Sequence, residues 1–373
     1  MKKIDWKKLI ALGSALLIAG FVVYSNMKEQ KSLQELNKRN VYALLPLSGS
    51  VATVGKDLKA AMDAWQKITP DRPFNLIYID SESQPLKAVT AIQQATINKK
   101  EPLVITALSP ISAAVIPVVA KQGGFSFGIN TTDASKLEQN GRFQLVASGL
   151  AEDEKTLYPY IAKNFKKIAI AYTNEELGKL SLLQTKEFMN KNGVEIVAEI
   201  PLEMGMLDVK IEALKAIKSG VDAIVVYGQA TLSYANFFKE LKKYDEPPVI
   251  LAAIQFSVPF VLDVLDDDRN DIIFESIDLT DMSKDKFKQF HKEMDRKGLP
   301  VYLCSAYAFN VLEVIKYALD NNMTLSQEAF QKLNTFDGLG GRIYFVGKGA
   351  SQYTYHLTQY KDGKIVSVES ESK

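Results

Sequence analysis

The sequence predicts an α/β protein of two doubly wound, Rossmann-like lobes preceded by an N-terminal membrane helix. Three observations carry this. Short β-rich apolar runs alternate with amphipathic stretches from residue 41 onward, and the alternation starts afresh after residues 149–155. An uncharged apolar run from Leu9 to Tyr24 follows a basic start. Apolar runs of strand length between amphipathic segments signal βα units around a buried parallel sheet. A chain of 373 residues is long enough for about two domains with sizeable cores.

In the first series, VYALLPL (41–47) reads as a strand followed by a helix from Leu58. FNLIYID (74–80) precedes a helix through LKAVTAIQQATIN, LVITAL (103–108) precedes AAVIPVVAKQ, and FSFGI (125–129) closes the set. The second series runs KKIAIAYT (166–173), a helix to Lys191, VEIVAEIPL (194–202), DVKIEALKAIKSG, AIVVYG (223–228), a helix to Lys243 and PVILAA (248–253). The last hundred residues break this rhythm. IIFESIDL (272–279) reads as a strand, and 283–298 and 304–321 as helices. RIYFV (342–346) and YTYHLTQYKDGKIVSV (353–368) alternate like a hairpin, with a turn at Lys361, Asp362 and Gly363. The expected division is 1–27 as signal anchor, 28–40 as tether, 41–148 with 279–338 as one lobe, and 149–278 with 339–373 as the other.

Charge and hydropathy set the context. Lys and Arg total 45 against 44 Asp and Glu, so no basic excess points to nucleic acid. Residues 1–40 hold eight of the basic residues and three of the acidic ones, which leaves the body mildly acidic. The apolar run is about the length of a signal-peptide core and slightly short for a spanning helix, although Trp6 and residues 25–27 extend it. No A-x-A-like cleavage site follows, which favours an uncleaved anchor over a cleaved signal peptide. Basic residues flank the run on both sides, so charge alone does not orient it. The single cysteine, Cys304, makes no intrachain disulfide and sits too far along the chain for a lipid anchor.

GSVATVGKD (49–57) superficially suggests a phosphate loop. Five residues separate Gly49 from Gly55, however, and Asp57 stands where a Mg²⁺-binding hydroxyl is needed, so a carboxylate would repel the phosphate. In open parallel sheets ligands bind outside the carboxyl ends of the strands. There the first lobe offers SGSVATVG, SPIS (109–112) and NTTDAS (130–135), loops of small hydroxyls and glycines that suit an anion such as a carboxylate. Helix capping is the plainer reading of Ser109, Ser112 and Thr132.

Three segments carry a family resemblance. PLSGSVATVGKDLKAAMDA, with its S-G-x-x-A-x-x-G turn, KKIAIAYTNEELGK, and FDGLGGRIYFVGKGASQYTYHLTQYKDGKIV fall in the order found in type I periplasmic binding proteins. From residue 41 to the end the chain resembles the leucine/isoleucine/valine-binding group of ABC-transporter substrate-binding proteins. The resemblance implies two lobes joined by three hinge crossings that close on a small molecule, an amino acid or related carboxylate or amide. It further implies no catalysis and no cofactor, an ABC permease as partner, and an extracytoplasmic body anchored to the membrane by its N-terminal helix, or secreted if that helix is cleaved. A ligand carboxylate would fall to Ser109, Ser112, Thr131 and Thr132, flanked by Ala52, Thr53 and Val54, with Tyr302 as an aromatic wall. The second lobe would contribute Leu177, Gln229 and Gln255. It departs from the family pattern there, with Leu177 in place of an aromatic and Ile254 or Gln255 in place of an acid. Burying an unpaired ammonium is costly, so a free amino acid requires Glu175 or Glu176 to supply the charge.

Other readings are weaker. His291 and His356 have no metal-spaced neighbours and support neither a metal site nor a His-based triad; His291 reads as solvated and His356 as a residue on a strand face. Cys304 reads as a small core residue rather than a reactive thiol. Asp266, Asp267 and Asp268 lack the ligand spacing of a Ca²⁺ loop. A membrane-tethered sensor, or an envelope scaffold with a degenerate pocket, is the alternative within the same fold.

Overall fold

A computed structural model describes residues 38–131, 141–147, 155–279, 281–362 and 364–368. The expected anchor (1–27), most of the tether and Thr132 lie outside these residues. Among the described residues no helix is long and apolar enough to cross a membrane.

The first sheet holds β1 (Arg39–Leu45), β2 (Phe74–Asp80), β3 (Leu103–Ala107), β4 (Phe125–Ile129) and β5 (Phe143–Leu145), all parallel, in the order β2-β1-β3-β4-β5. Alternate residues of one strand serve two cores. Val41, Ala43 and Leu45 pack with α1 (Ala52–Ile68), while Tyr42 and Leu44 pack with α2 (Pro85–Ala95) and α3 (Ser109–Lys121). Helix α1 docks through Leu58, Ala61, Met62 and Trp65, the i, i+3, i+4, i+7 stripe of an amphipathic helix.

The second sheet repeats the plan. It is built from α4 (Leu157–Asn164), β6 (Lys167–Thr173), α5 (Glu176–Lys191), β7 (Glu195–Leu202), α6 (Lys210–Lys218), β8 (Ala223–Tyr227), α7 (Leu232–Leu241), β9 (Val249–Ala252), α8 (Pro259–Leu265) and β10 (Ile273–Ser276). Its parallel strands run β7-β6-β8-β9-β10. Helices α6, α7 and α8 cover one face; α4 and α5 cover the other.

After β10 the chain returns to the first body with α9 (Asp285–Arg296) and α10 (Leu303–Asp320). Helix α10 is apolar nearly all round and is buried along most of its length, as such helices are. Then come α11 (Gln327–Leu333) and a three-stranded antiparallel sheet of β11 (Thr335–Gly338), β12 (Gly341–Gly347) and β13 (Ala350–Tyr353). Strands β14 (His356–Lys361) and β15 (Lys364–Ser367) close the second sheet as an antiparallel hairpin.

Two expectations need correction. RIYFV does not pair with the final hairpin: β12 lies between β11 and β13, and Ile343, Phe345 and Tyr353 bury in the first core. The chain therefore re-enters the second sheet at His356, well after residue 339. His291 is not solvated. It is half-buried on α9 with its Nε2 enclosed, and that burial lowers its pKa. Cys304 is a buried core residue whose thiol burial pushes up to about 11.

Candidate ligand-binding site

The strand orders fix where a ligand can enter. In each sheet the order reverses beside the first strand of the set, between β1 and β3 and between β6 and β8. Crevices form at such switch points, beyond the carboxyl ends of the strands.

At the first switch point the β1–α1 loop is held from below by β2. Asp80 accepts from the amides of Leu47 (2.9 Å), Ser48 (3.1 Å) and Glu82 (2.8 Å). Burial works against ionisation of this carboxyl, but the Ser48, Glu82 and Leu47 hydrogen bonds outweigh it and hold the pKa below the usual value. Ser83 donates to the Ser48 carbonyl at 2.7 Å. The two glycines of GSVATVG allow this close packing. Gly49 adopts φ +85°, with the Glu82 carbonyl 2.4 Å from where a Cβ would stand; at Gly55 a Cβ would meet the Pro46 carbonyl at 2.0 Å. Ala52, Thr53 and Val54 form the first turn of α1, with Thr53 exposed and Val54 resting on the first core.

Across the switch point Ser109 opens α3 and is half-buried. Leu108, just before it, has φ +73°, and Asn130 at the end of β4 has φ +49°. Non-glycine residues in the left-handed region are strained and cluster at functional loops. Ser112 does not cap the helix. Its hydroxyl is fully buried and bonds Thr106 Oγ1 (2.9 Å) and Thr131 Oγ1 (3.0 Å), which ties β3, α3 and the loop after β4 together. Thr131, also buried, donates to the Ile129 carbonyl at 3.2 Å. Tyr302 at the start of α10 donates its hydroxyl to Asp57 at 2.7 Å. Burial, Cys304 and the Asp57 carboxylate keep that phenol protonated, far above its ordinary pKa. Its neighbour Cys304 receives the Asn130 side-chain amide at 2.9 Å.

The second switch point has a different chemistry. Glu175 caps α5 with its own carboxylate, accepting from the amides of Leu177 (2.7 Å) and Gly178 (2.9 Å). Thr173 Oγ1 and the Gln229 amide also donate to it, at 2.8 and 3.3 Å. Thr231 caps α7. Leu177 is half-buried in the first turn of α5, and Gln229 is exposed just beyond β8. Gln255 lies in a 3₁₀ turn after β9, and Ile254 beside it buries in the first-body core, so this turn reaches across to the first lobe.

The two bodies thus differ at their crevice helices. Among the described residues, neither Val51 nor Leu108, the residues before α1 and α3, caps its helix with its own side chain, although Ser83 Oγ accepts from the Val51 amide at 3.4 Å; Glu175 and Thr231 do cap α5 and α7. A helix N-terminus carries roughly half a positive charge; at α5 and α7 the residue before the helix supplies a capping oxygen, and at α1 and α3 it does not. Two concave regions of about 700 and 830 Å³ lie elsewhere, one beside Thr156, Tyr344 and Tyr355 and the other beside Arg39, Glu101 and Arg142. None of the expected site residues lines either. Sequence reading missed Asp80 and the pairing of Tyr302 with Asp57. Asp80 had a signal, being an acid at the end of a strand; the Tyr302 partner, 245 residues away, had none.

Two parallel-sheet bodies with paired switch points define a two-lobed α/β binding protein. The chain belongs to the periplasmic binding protein family, whose model matches residues 41–364. Among curated proteins none matches. Solved structures share the fold at low identity. A solute-binding protein of an ABC transporter from Rhodopseudomonas palustris HaA2, in complex with p-hydroxybenzoic acid, is 16% identical with a TM-score of 0.76, the match covering 89% of this chain and 96% of that one. The branched-chain amino acid transporter substrate-binding protein LivJ of Streptococcus pneumoniae, in complex with isoleucine, is 16% identical with a TM-score of 0.73, over 88% and 98%. The leucine-binding protein LivK of Thermotoga maritima is 14% identical with a TM-score of 0.72, over 89% and 98%.

Proposed function

We propose that the protein is an extracytoplasmic solute-binding protein of an ABC-type importer, anchored by its N-terminal helix, which clamps a small carboxylate-bearing ligand between its lobes. The observation that carries this is the pair of helix N-termini, α1 and α3, that flank the first switch point without a cap from the side chain of the residue before them, Val51 and Leu108. A ligand carboxylate there takes the place of the missing capping side chains, each worth ~1 kcal/mol to a helix. Ala52, Thr53, Val54 and Ser109 form the rim of this subsite; Ser112 and Thr131 support it from behind, Tyr302 walls it, and Thr132 is a further expected contact. Leu177, Gln229 and Gln255 close over the ligand as the lobes rotate about three crossings. The p-hydroxybenzoic acid and isoleucine bound by two solved neighbours both carry a carboxylate, which agrees with this reading.

Thermal-shift measurement with matched pairs, benzoate against benzamide and acetate against acetamide among them, tests it. A carboxylate at a hundred times its Kd stabilises by ~2.7 kcal/mol, and its amide should be silent. Equal responses to both would end the carboxylate assignment. One observation favours the second reading, a tethered sensor or scaffold: the hydroxyls of Ser112, Thr131 and Tyr302 are already paired internally. Silence across the whole panel is its expected result. A mature N-terminus near residue 25 or beyond would remove the anchor.

A further inference from the structure

We infer that the site selects carboxylates that lack an α-ammonium group, such as oxo or aryl acids, over free amino acids. This rests on the carboxylate reading above and concerns the other end of the ligand. An ammonium enclosed between two lobes must find acceptors, because an unpaired buried charge is costly. The acid at the second switch point is Glu175, whose Oε1 accepts from the Thr173 hydroxyl at 2.8 Å and the Gly178 amide at 2.9 Å, and whose Oε2 accepts from the Leu177 amide at 2.7 Å; the Gln229 amide, bonded to Thr173 Oγ1 at 2.9 Å, lies a further 3.3 Å from Oε1. A carboxylate has about four lone-pair positions in all. The positive end of α5 also offsets its charge. An ammonium would be left the remaining position on Oε2, on a carboxylate whose charge the α5 amides already offset, or would have to displace the donors that hold the α5 terminus.

The neighbouring acids do not replace it. Glu203 after β7 accepts from the Asn174 side-chain amide at 2.6 Å. Glu176 is exposed, where solvent screens a charge pair. The other expected second-lobe residues, Leu177, Gln229 and Gln255, are neutral. They suit a carbonyl, a hydroxyl or an apolar body at the position next to the ligand carboxylate.

The test uses the protein with amino acid and oxo-acid pairs of identical side chain: leucine and α-ketoisocaproate, phenylalanine and phenylpyruvate, alanine and pyruvate. Affinities come from calorimetry for every pair in which one member shifts the melting temperature. The oxo acid is expected to bind at least about tenfold more tightly than its partner, a difference of about 1.4 kcal/mol. Tighter binding of the amino acid in any pair overturns this inference and leaves the carboxylate reading standing. In that case Glu175→Gln identifies the cause: loss of the amino acid's advantage would show that Glu175 takes the ammonium after all. No binding by either member of any pair, with benzoate also silent, overturns the carboxylate reading and this inference with it.

Discussion

Replacing Ser112 by alanine separates two roles that the sequence alone could not. Its hydroxyl is wholly buried and makes hydrogen bonds of 2.9 and 3.0 Å to Thr106 and Thr131. Each such bond contributes ~0.5–1.5 kcal/mol net, and more when a partner is left unsatisfied. Neither partner is orphaned here, because Thr106 still donates to the Phe127 carbonyl at 3.3 Å and Thr131 to the Ile129 carbonyl at 3.2 Å. Loss of one oxygen leaves little empty volume. Ser112→Ala should therefore destabilise by about 1–2 kcal/mol, lowering the melting temperature by on the order of 3 °C for a chain of this size. Carboxylate affinity should change less than about threefold, or about 0.65 kcal/mol. Differential scanning fluorimetry and calorimetric titration read the two quantities independently. An unchanged melting temperature with affinity reduced tenfold would refute the reasoning, because the hydroxyl would then be touching ligand rather than holding the loops.

Ser109→Asp places a carboxylate in the first turn of α3; the fold should gain about 0.3–1 kcal/mol from the helix end, while a benzoate titration should show weakened binding. Gly55→Ala puts a Cβ 2.0 Å from the Pro46 carbonyl and should lower the melting temperature steeply or prevent soluble expression. Asp80, whose folded pKa is depressed, contributes stability in full above its unfolded value near 3.8 and loses it as pH falls through the lower folded value. Urea midpoints across that acid range should flatten in Asp80→Asn relative to the parent. Tyr302→Phe removes the hydrogen bond to the Asp57 carboxylate and should cost about 1–3 kcal/mol in denaturant unfolding.

What the sequence disclosed follows from the range over which each signal acts. FSFGI is read to the residue because a strand buried in a parallel sheet is a short, dominantly apolar run, and FNLIYID, a half-buried edge strand, because its β-rich residues stand between turn signals. Helix α11 escaped notice although Ser326 caps it, accepting from the Ala329 amide at 3.2 Å; seven residues are too few to display a helical period. The partner of RIYFV depended on a short strand, ASQY, reached through a turn with the positive-φ residues Gly347 and Gly349, and alternation alone does not say which strand lies beside which. In the site, strand-end position was legible and hydrogen-bonding state was not. Ser112 and Glu175 both stand where a ligand contact is expected, yet their partners come from Thr106 and Thr131 in one case and from Thr173 and Gln229 in the other.

Helix α10 also bears on the order in which the molecule can form. Its buried face lies against strands laid down some two hundred residues earlier, and the second sheet's parallel strands are all made in between. During synthesis the first lobe therefore has no complete interior until the last quarter of the chain exists, while the parallel strands of the second sheet lie within residues 167 to 276 and wait only for the β14–β15 hairpin at its edge. Pairings so distant along the chain form slowly, because their loop entropy must be met before any contact rewards it. For a polypeptide that crosses a membrane before it folds, this late closure would keep the leading segment open long enough to be threaded. Pulse-labelling hydrogen exchange during refolding should then show β8 amides protected before those of β1.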